Sequence, residues 1–181
     1  MGTADKIRDL EELVRVVRER RALGHRVVFT NGCFDLIHRG HTRLLQRARE
    51  LGDLLIVGLN SDTSVRSLKG PSRPVLSQEE RAEVLSALAS VDYVVIFEEA
   101  DPSRTIAALQ PDVLVKGADW AKEEVVGREV VEGRGGQVVT IPLVQGSSTR
   151  GIIQKILSSP PPPLSSPTSG GEGEGRGGLR R

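Results

Sequence analysis

The sequence predicts an α/β protein with a parallel sheet of five strands, and three observations support this fold class. Short, continuous apolar segments alternate along the chain with longer segments whose apolar residues recur every three to four positions, as strands and amphipathic helices do. Such alternation favours parallel strands joined by right-handed helical crossovers. With 181 residues, 38% hydrophobic and 27% charged, the chain has the length and composition of a globular domain.

The first third of the chain contains two predicted helices and two predicted strands. Leucine and valine recur with a helical period near the N-terminus, which predicts a helix over residues 6–23 that packs on the domain. Residues 27–29 and 54–59 are continuous apolar segments, the pattern of strands covered on both faces. Between them, apolar residues at helical spacing over residues 44–51 predict a second helix, which Gly52 ends.

The polar residues 60–76 predict a long loop, because they include Gly70 and two prolines. A loop of this length inside a compact domain is often functional. Ser77 and the glutamate three residues later form a capping-box pattern that begins a helix. We expect Val84, Leu85 and Leu88 to form the inner face of that helix.

Three further strands alternate with three further helices in the remainder of the chain. The predicted strands are residues 93–97, 112–115 and 137–141. The predicted helices are residues 102–109, 125–132 and 148–157. The complete pattern predicts a Rossmann-like, doubly wound sheet, in which ligands bind beyond the carboxyl ends of the strands at the topological switch point.

The composition changes at residue 158. Residues 158–181 consist mainly of proline, serine and glycine and have little apolar surface to offset the entropy of ordering the chain. We therefore predict a folded domain over residues 1–157 and a disordered tail over residues 158–181.

Charge and cysteine content exclude several function classes. The chain has 25 basic and 24 acidic residues and only 3% aromatic residues, so it lacks the basic, aromatic-rich surface of a nucleic-acid-binding protein. Cys33 is the only cysteine, which excludes an intrachain disulfide and a multi-cysteine zinc site. No apolar segment approaches the roughly 18 residues of a membrane helix, and no signal-peptide core is present. We expect a cytoplasmic protein without a nucleic-acid or membrane partner.

The segment His38-Arg39-Gly40-His41 lies where the first predicted strand gives way to a helix. Gly40 has no Cβ and permits a close backbone approach, and the free N–H groups of the helix start form an anion site. Two imidazoles can donate hydrogen bonds to phosphate oxygens as negative charge develops. The segment predicts a nucleoside triphosphate site. A metal site is the alternative, with Asp35 as the only nearby carboxylate and no third histidine.

Three segments resemble the signatures of the cytidylyltransferase-like nucleotidyltransferases. They are residues 32–41 (GCFDLIHRGH, the HxGH signature), 116–120 (KGADW) and 147–150 (SSTR). The resemblance covers about residues 25–157 and implies the HxGH nucleotidyltransferase fold. Further segments are similar to the adenylyltransferases that make ADP-heptose, namely residues 30–34, 59–64, 68–75, 112–119 and 146–150.

The resemblance implies transfer of AMP from ATP to a heptose 1-phosphate, giving ADP-heptose and pyrophosphate for lipopolysaccharide core synthesis. One alternative is a cytidylyltransferase acting on glycerol 3-phosphate or another small phosphorylated alcohol, and another is a catalytically inactive nucleotide-binding regulator. The resemblance also implies Mg²⁺ bound mainly through the ATP phosphates, small-molecule substrates as partners, and a homodimer. Many relatives are fused behind a sugar kinase domain that this sequence lacks, so we expect a separate heptose kinase.

The resemblance also implies roles for individual residues. The implied catalytic residues are His38, His41 and Lys69, the last because relatives have a lysine in the loop after the second strand. The implied nucleotide-binding residues are Gly32, Phe34, Asp35, Gly40, Gly117, Asp119, Ser148, Thr149 and Arg150. The candidates for contact with the acceptor substrate are Asp62, Arg73, Arg81, Lys116 and Trp120. No protein ligand to a metal is predicted.

Overall fold

The computed structural model describes residues 2–118, 124–142 and 144–159. Within these residues the strands are β1 (Val27–Gly32), β2 (Leu54–Asn60), β3 (Tyr93–Phe97), β4 (Val113–Gly117) and β5 (Gln137–Ile141). The helices are α1 (Thr3–Lys6), α2 (Leu10–Ala22), α3 (Arg39–Arg49), α4 (Asp62–Lys69), α5 (Gln78–Ser86), α6 (Ser103–Leu109), α7 (Arg128–Glu132) and α8 (Thr149–Ser158). No helix of the described ranges is long and apolar enough to cross a membrane.

The five strands form one parallel sheet in the order β3-β2-β1-β4-β5. From β1 the chain adds β2 and β3 on one side, then returns to add β4 and β5 on the other. The predicted doubly wound α/β fold is therefore confirmed. The direction of winding reverses between β1 and β4, and their carboxyl ends at Gly32 and Gly117 mark the topological switch point.

Two apolar layers, one on each face of the sheet, form the core. Val27 and Phe29 of β1 contribute to the layer shared with α2, α6 and α7. Val28 contributes to the opposite layer, shared with α3 and α5. Gly58 of β2 makes this packing possible, because a Cβ there would lie 2.6 Å from the Phe29 ring. The continuous apolar strands are explained by burial on both faces.

The N-terminal helix predicted over residues 6–23 begins later, at Leu10. The Asp9 carboxylate accepts a hydrogen bond from the backbone N–H of Glu12 at 2.7 Å and so caps α2. Ile7 forms an isolated parallel bridge with Val94 of β3 instead of continuing the helix. Leu13 of α2 is fully buried in the core layer, as its position in the apolar pattern predicted.

The prediction of one long loop over residues 60–76 is wrong, because these residues contain α4. The Ser61 side chain accepts a hydrogen bond from the N–H of Ser64 and caps this helix, and Val65 is fully buried beneath it. Gly70, with φ of +91°, ends the helix. Lys69 is therefore the last residue of α4 rather than part of a loop.

The inner face of α5 also differs from the prediction. The capping box at Ser77 is present, but Val84 is 41% exposed. The buried residues of the helix are Arg81, Ala82, Leu85 and Ser86. The helix is rotated so that Arg81 points inward, where it hydrogen-bonds to the ends of neighbouring segments.

Among the described residues of the C-terminal third, the structure differs from the prediction at helix boundaries. The helix predicted over residues 125–132 begins at Arg128, after Gly127 with φ of +87°. The last helix, α8, ends at Ser158. Of the predicted tail, residues 160–181 lie outside the described residues.

Candidate functional site

Two connected cavities lie at the carboxyl ends of β1 and β4, where the sheet topology predicts a ligand site. The larger has a volume of about 790 Å³ and the smaller of about 190 Å³. Both are lined by His41, Leu44, Lys69 and Thr149, so these residues stand at their junction. The volume of the larger cavity is typical of a small-molecule site.

The two cavities differ in charge. Lys69, Arg73 and Arg150 line the larger one, and none of its described lining residues is a carboxylate. The smaller one is lined mainly by uncharged residues at the ends of β1 and β4, together with Lys69, Lys116 and Asp35. The larger cavity suits a polyanion, and the smaller one suits a hydroxylated ring.

His38 is the N-cap of α3. Its Nδ1 accepts a hydrogen bond from the backbone N–H of Gly40 at 3.1 Å, so the neutral ring carries its proton on Nε2. Burial lowers the pKa of His38 below its ordinary value. At neutral pH the ring is therefore an uncharged hydrogen-bond donor beside the N–H groups that begin α3.

His41 stacks on His38, with ring centroids 3.9 Å apart and planes tilted by 21°. The ring of Phe34 lies 5.1 Å from it. Burial, and then the charges of His38 and Lys69, lower the pKa of His41 to about 4, with partial opposition from the Leu36 backbone. Both imidazoles are thus neutral at physiological pH.

Two glycines leave room for these rings. A Cβ on Gly40 would lie 3.0 Å from the Cε1 and Nδ1 atoms of His38. A Cβ on Gly32 would lie 3.2 Å from the Phe34 ring. Both positions were predicted to bind nucleotide; in the structure they also permit the ring stack to assemble. Phe34 itself is buried, with φ of +42°, so its ring supports His41 from behind.

The N-terminus of α8 forms the far wall of the larger cavity. Ser148 caps the helix by accepting a hydrogen bond from the N–H of Gly151 at 3.0 Å. Thr149 Oγ1 donates to the carbonyl of Leu36 at 3.4 Å, and Arg150 lines the cavity. The HxGH segment and the segment of residues 147–150 therefore line the same cavity.

Arg39 links the two signatures, and sequence reasoning missed it. Its Nε donates to Ser147 Oγ at 2.7 Å and its Nη2 to the Gln145 carbonyl at 3.1 Å. These contacts tie the first residue of α3 to the segment before α8. The pairing joins positions 108 residues apart, and no local pattern signals it.

Asp35 and Arg73, predicted to contact nucleotide and acceptor respectively, bind each other. Arg73 Nε donates to the Asp35 carboxylate at 2.5 Å, and the Val75 N–H donates to it at 2.7 Å. The Asp35 side chain is 1% exposed, so its carboxylate binds these protein partners rather than solvent. It holds the segment that follows α4 at the edge of the cleft, while Arg73 also lines the larger cavity.

The structure corrects the prediction that Arg81 contacts the acceptor. Arg81 is 0% exposed and lines neither cavity. Its guanidinium donates to the carbonyls of Cys33, Asn60 and Leu76 and to the carboxylate of Asp62. Asp62, another predicted acceptor contact, is therefore an ion-pair partner of this buried cation.

The remaining predicted site residues lie at the end of β4 or after it. Lys116 and Gly117 line the smaller cavity, as their place at the end of that strand led us to expect. Asp119 and Trp120 lie outside the described residues. Among the residues that are described, no group of three or more His, Cys, Asp or Glu side chains is arranged to hold a metal ion.

Comparison with protein families gives a match over most of the chain. A family model described as cytidylyltransferase-like matches residues 29–167. The curated "Bifunctional protein HldE" of Syntrophotalea carbinolica is 57% identical over 152 residues, 84% of this chain and 31% of that protein. The protein of the same name from Citrifermentans bemidjiense is 56% identical over 154 residues, 85% of this chain and 32% of that protein. The chain thus spans about a third of the length of these relatives.

Solved structures show the same fold. A lipopolysaccharide core biosynthesis protein from Thermoplasma volcanium GSS1 is similar with a TM-score of 0.57 and 26% identity, over 68% of this chain and 100% of that chain. A pantoate-beta-alanine ligase from Francisella tularensis has a TM-score of 0.50 and 16% identity, over 75% of this chain and 66% of that chain. The second likeness concerns the fold alone.

Proposed function

Since the chain belongs to the cytidylyltransferase-like family and is a nucleotidyltransferase, we propose that it transfers AMP from ATP to a heptose 1-phosphate. The products are ADP-heptose and pyrophosphate, and the pathway is lipopolysaccharide core synthesis. The main structural support for nucleotidyl transfer is the stacked pair His38 and His41, which lies beside Lys69 and the N-terminus of α8. The heptose acceptor is supported by the identity to HldE proteins and by the segments similar to ADP-heptose-forming enzymes.

The proposed reaction is an in-line displacement at the α-phosphorus of ATP. An oxygen of the sugar phosphate forms the new P–O bond as the bond to the bridging oxygen of the β-phosphate breaks, and pyrophosphate leaves with that electron pair. A phosphate monoester is already a nucleophile, so no covalent enzyme intermediate is needed. Catalysis consists of alignment and charge stabilisation.

The walls of the larger cavity are suited to hold the triphosphate. The backbone N–H groups at the start of α8, next to Ser148 and Thr149, suit the β- and γ-phosphates, and Arg150 adds a planar fork for phosphate oxygens. His41 and Lys69 stand at the junction of the cavities. We place the α-phosphate and the attacking phosphate there, where a neutral donor and a compact cation can stabilise developing charge.

The smaller cavity is proposed to receive a sugar ring beside Gly117 and Lys116. Gly32 and Phe34 would then border the nucleotide beside the stacked rings of His38 and His41. Asp119 and Trp120 remain predicted ligand contacts in the same region.

Mg²⁺ fits the chemistry of this site as a phosphate-bound ion. Magnesium typically keeps several waters and is held by substrate phosphates with few protein ligands, so we propose that the ATP phosphates would hold it here. When bound, it would neutralise charge on the triphosphate. We expect EDTA to abolish turnover and added Mg²⁺ to restore it, with no change in the melting temperature of the ligand-free protein.

A second candidate function is transfer of CMP from CTP, which the description of the matching family favours. Purified protein should be incubated with each pairing of ATP or CTP with heptose 1-phosphate or glycerol 3-phosphate, with pyrophosphate release as the measurement. We expect the highest kcat/KM for ATP with heptose 1-phosphate. Fastest turnover with CTP and glycerol 3-phosphate would replace the heptose assignment, and ATP binding without turnover in any pairing would indicate an inactive regulator.

We propose that the protein forms a homodimer, which sedimentation equilibrium tests. Turnover should require a sugar that already carries its 1-phosphate, and the unphosphorylated sugar with ATP should give no product.

A further inference from the structure

Arg81 is the largest fully buried side chain of the described residues, and its hydrogen bonds converge from three parts of the chain. Nη1 donates to the carbonyl of Cys33 at 2.6 Å and to that of Asn60 at 2.9 Å. Nε donates to the carbonyl of Leu76 at 3.1 Å, and Nη2 to the Asp62 carboxylate at 2.7 Å. One guanidinium thus joins the segment after β1, the segment after β2 and the segment before α5.

The hydrogen bond to Cys33 connects Arg81 indirectly with His41. The next residue, Phe34, has φ of +42°, a conformation that is uncommon outside glycine and persists when the surroundings hold it. Its ring lies 5.1 Å from the ring of His41, which in turn stacks on His38. The Arg81 bond to the preceding carbonyl therefore restrains the turn that supports His41.

The hydrogen bonds to Asn60 and Asp62 connect Arg81 with Lys69 through helix α4. These two residues flank Ser61, the N-cap of α4, and Lys69 is the last residue of the same helix. Eight helical residues span about 12 Å. Because so short a helix moves as a rigid unit, a shift at its start also moves its end. The Arg81 bonds at the start of α4 therefore restrain the position of the Lys69 backbone.

We propose that Arg81 is a positioning residue that sets the placement of His41 relative to Lys69 at the junction of the two cavities. It acts through the Phe34 turn on one side and through α4 on the other, without touching substrate. Misplacement of reacting groups by about 1 Å can lower a rate on the order of a hundredfold, so this placement matters for turnover. The kinetic part of the inference rests on the proposed function.

The charge of Lys69 and the enclosure of His41 provide a readout that needs no substrate. Burial, then the charge of His38 and then the charge of Lys69 lower the pKa of His41 to about 4. A change that moves α4 away from His41 or opens the Phe34 turn should raise this pKa toward 6.5. A variant that merely weakens the core has no reason to do so.

The test compares Arg81→Lys with Leu85→Ala as a matched control. Lysine keeps the charge but lacks the planar fork that reaches several acceptors at once. Leu85 lies one turn further along α5, is fully buried and belongs to the apolar layer below the site. The control therefore removes core packing from the same helix without touching the three carbonyls.

For Arg81→Lys we expect kcat to fall about a hundredfold, with the KM for ATP within about threefold of the parent. The pKa of His41, measured by NMR titration without substrate, should rise. For Leu85→Ala we expect a lower melting temperature with an unchanged His41 pKa and kcat. Unchanged kcat in folded Arg81→Lys, or lowered kcat with a His41 pKa equal to that of the parent protein, would overturn the proposal.

Asp62→Asn provides a second test if Arg81→Lys does not fold. It removes the charge of the ion pair and keeps the shape of the side chain, so the His41 pKa should rise by a smaller amount. A His41 pKa that stays at about 4 would overturn the proposal. The titration does not depend on the proposed function. If the proposed acceptor is wrong, no variant gives turnover in the kinetic assay, whereas the comparison of His41 pKa values still decides the role of Arg81.

Discussion

The imidazoles of His38 and His41 lie face to face at the N-terminus of α3, and their environment keeps both of them uncharged. The Gly40 N–H fixes the tautomer of His38, while Phe34 holds the ring of His41 from behind. Two neutral donors beside the positive charge of Lys69 can strengthen their hydrogen bonds as charge develops on phosphate oxygens. At the scale of single residues, the proposed catalysis therefore depends on donors that the fold holds in place before substrate binds.

We predict that His41→Ala lowers turnover by about a hundredfold or more while the fold stays intact. The reason is the loss of a donor at the junction of the cavities. His25→Ala is the matched control, because His25 precedes β1 at the opposite end of the sheet. Pyrophosphate release and thermal unfolding should be measured for both variants. Full activity in His41→Ala would remove His41 from the mechanism.

The lowered pKa of His41 also predicts how stability depends on pH. Between pH 6.5 and about 4 the unfolded chain binds a proton at this histidine that the folded protein does not bind. Its contribution is therefore fully present above pH 6.5 and is lost as the pH falls through this window. The difference corresponds to roughly 3 kcal/mol.

This prediction is measured by urea unfolding at about pH 7.5 and about pH 4.5. The free energy of unfolding of the parent should fall more than that of His41→Asn, which lacks the titrating group. Taking the difference between the two proteins removes the contribution of other titrating groups. Equal losses would show that the folded protein protonates His41 as readily as the unfolded chain.

At the scale of secondary-structure elements, several residues of the candidate site lie at helix ends rather than in loops. His38 caps α3, Ser148 caps α8, and Lys69 ends α4. Caps fix the direction in which a chain enters a helix and satisfy its first N–H groups. The geometry of the cleft therefore depends on where each of these helices begins and ends.

We predict that removing two N-caps has similar effects on stability and different effects on activity. Ser61→Ala and Asp9→Ala each remove a side-chain acceptor at the start of a helix and should cost about 1 kcal/mol. Only Ser61→Ala should also lower kcat, by about tenfold, because α4 carries Lys69. Urea unfolding and steady-state kinetics on both variants provide the measurement. Equal kinetic effects would contradict a positioning role for α4.

At the scale of the whole molecule, the apolar layer that contains Leu13 is separate from the two cavities, whereas Phe34 of the opposite layer lines the smaller one. The two apolar layers cover the faces of the sheet, whereas the cavities lie at the carboxyl ends of its central strands. Helix α2 packs by Leu13 and Val17 against the layer that contains Ile106 and Leu109, and none of these residues lines the two cavities of the cleft. Changes in that layer should alter stability before they alter chemistry.

We predict that Leu13→Ala lowers the free energy of unfolding by about 2–5 kcal/mol. The cause is a cavity beneath α2, and kcat well below the melting temperature should be unchanged. Ile156→Ala is the control, since Ile156 is 65% exposed on α8 and should cost less than about 0.5 kcal/mol. A loss of kcat in Leu13→Ala at a temperature where it is fully folded would show that the N-terminal helix acts on the cleft.

Local patterns in the sequence were enough to predict the fold class. The strands that are buried on both faces are continuous apolar segments, and the Ser77 cap is a pattern within four residues. The HxGH and Ser/Thr-rich segments predicted where the cleft forms, because the carboxyl ends of parallel strands meet at one edge of a sheet. Helix α4 was missed because its caps and one buried valine occur within a polar segment that also contains Gly70 and prolines.

Contacts between distant residues required the tertiary structure. Arg81 bonds to the carbonyl of Cys33, 48 positions away, and Asp35 bonds to Arg73, 38 positions away. A charged side chain on a predicted helix has the same local pattern whether it faces substrate, solvent or a buried carbonyl. Its orientation depends on helix rotation and on which backbone groups lack partners, and both are set only when the sheet and helices pack together. Local composition therefore determined the elements and the place of the cleft, whereas packing determined which side chains face the ligand and which hold the cleft in shape.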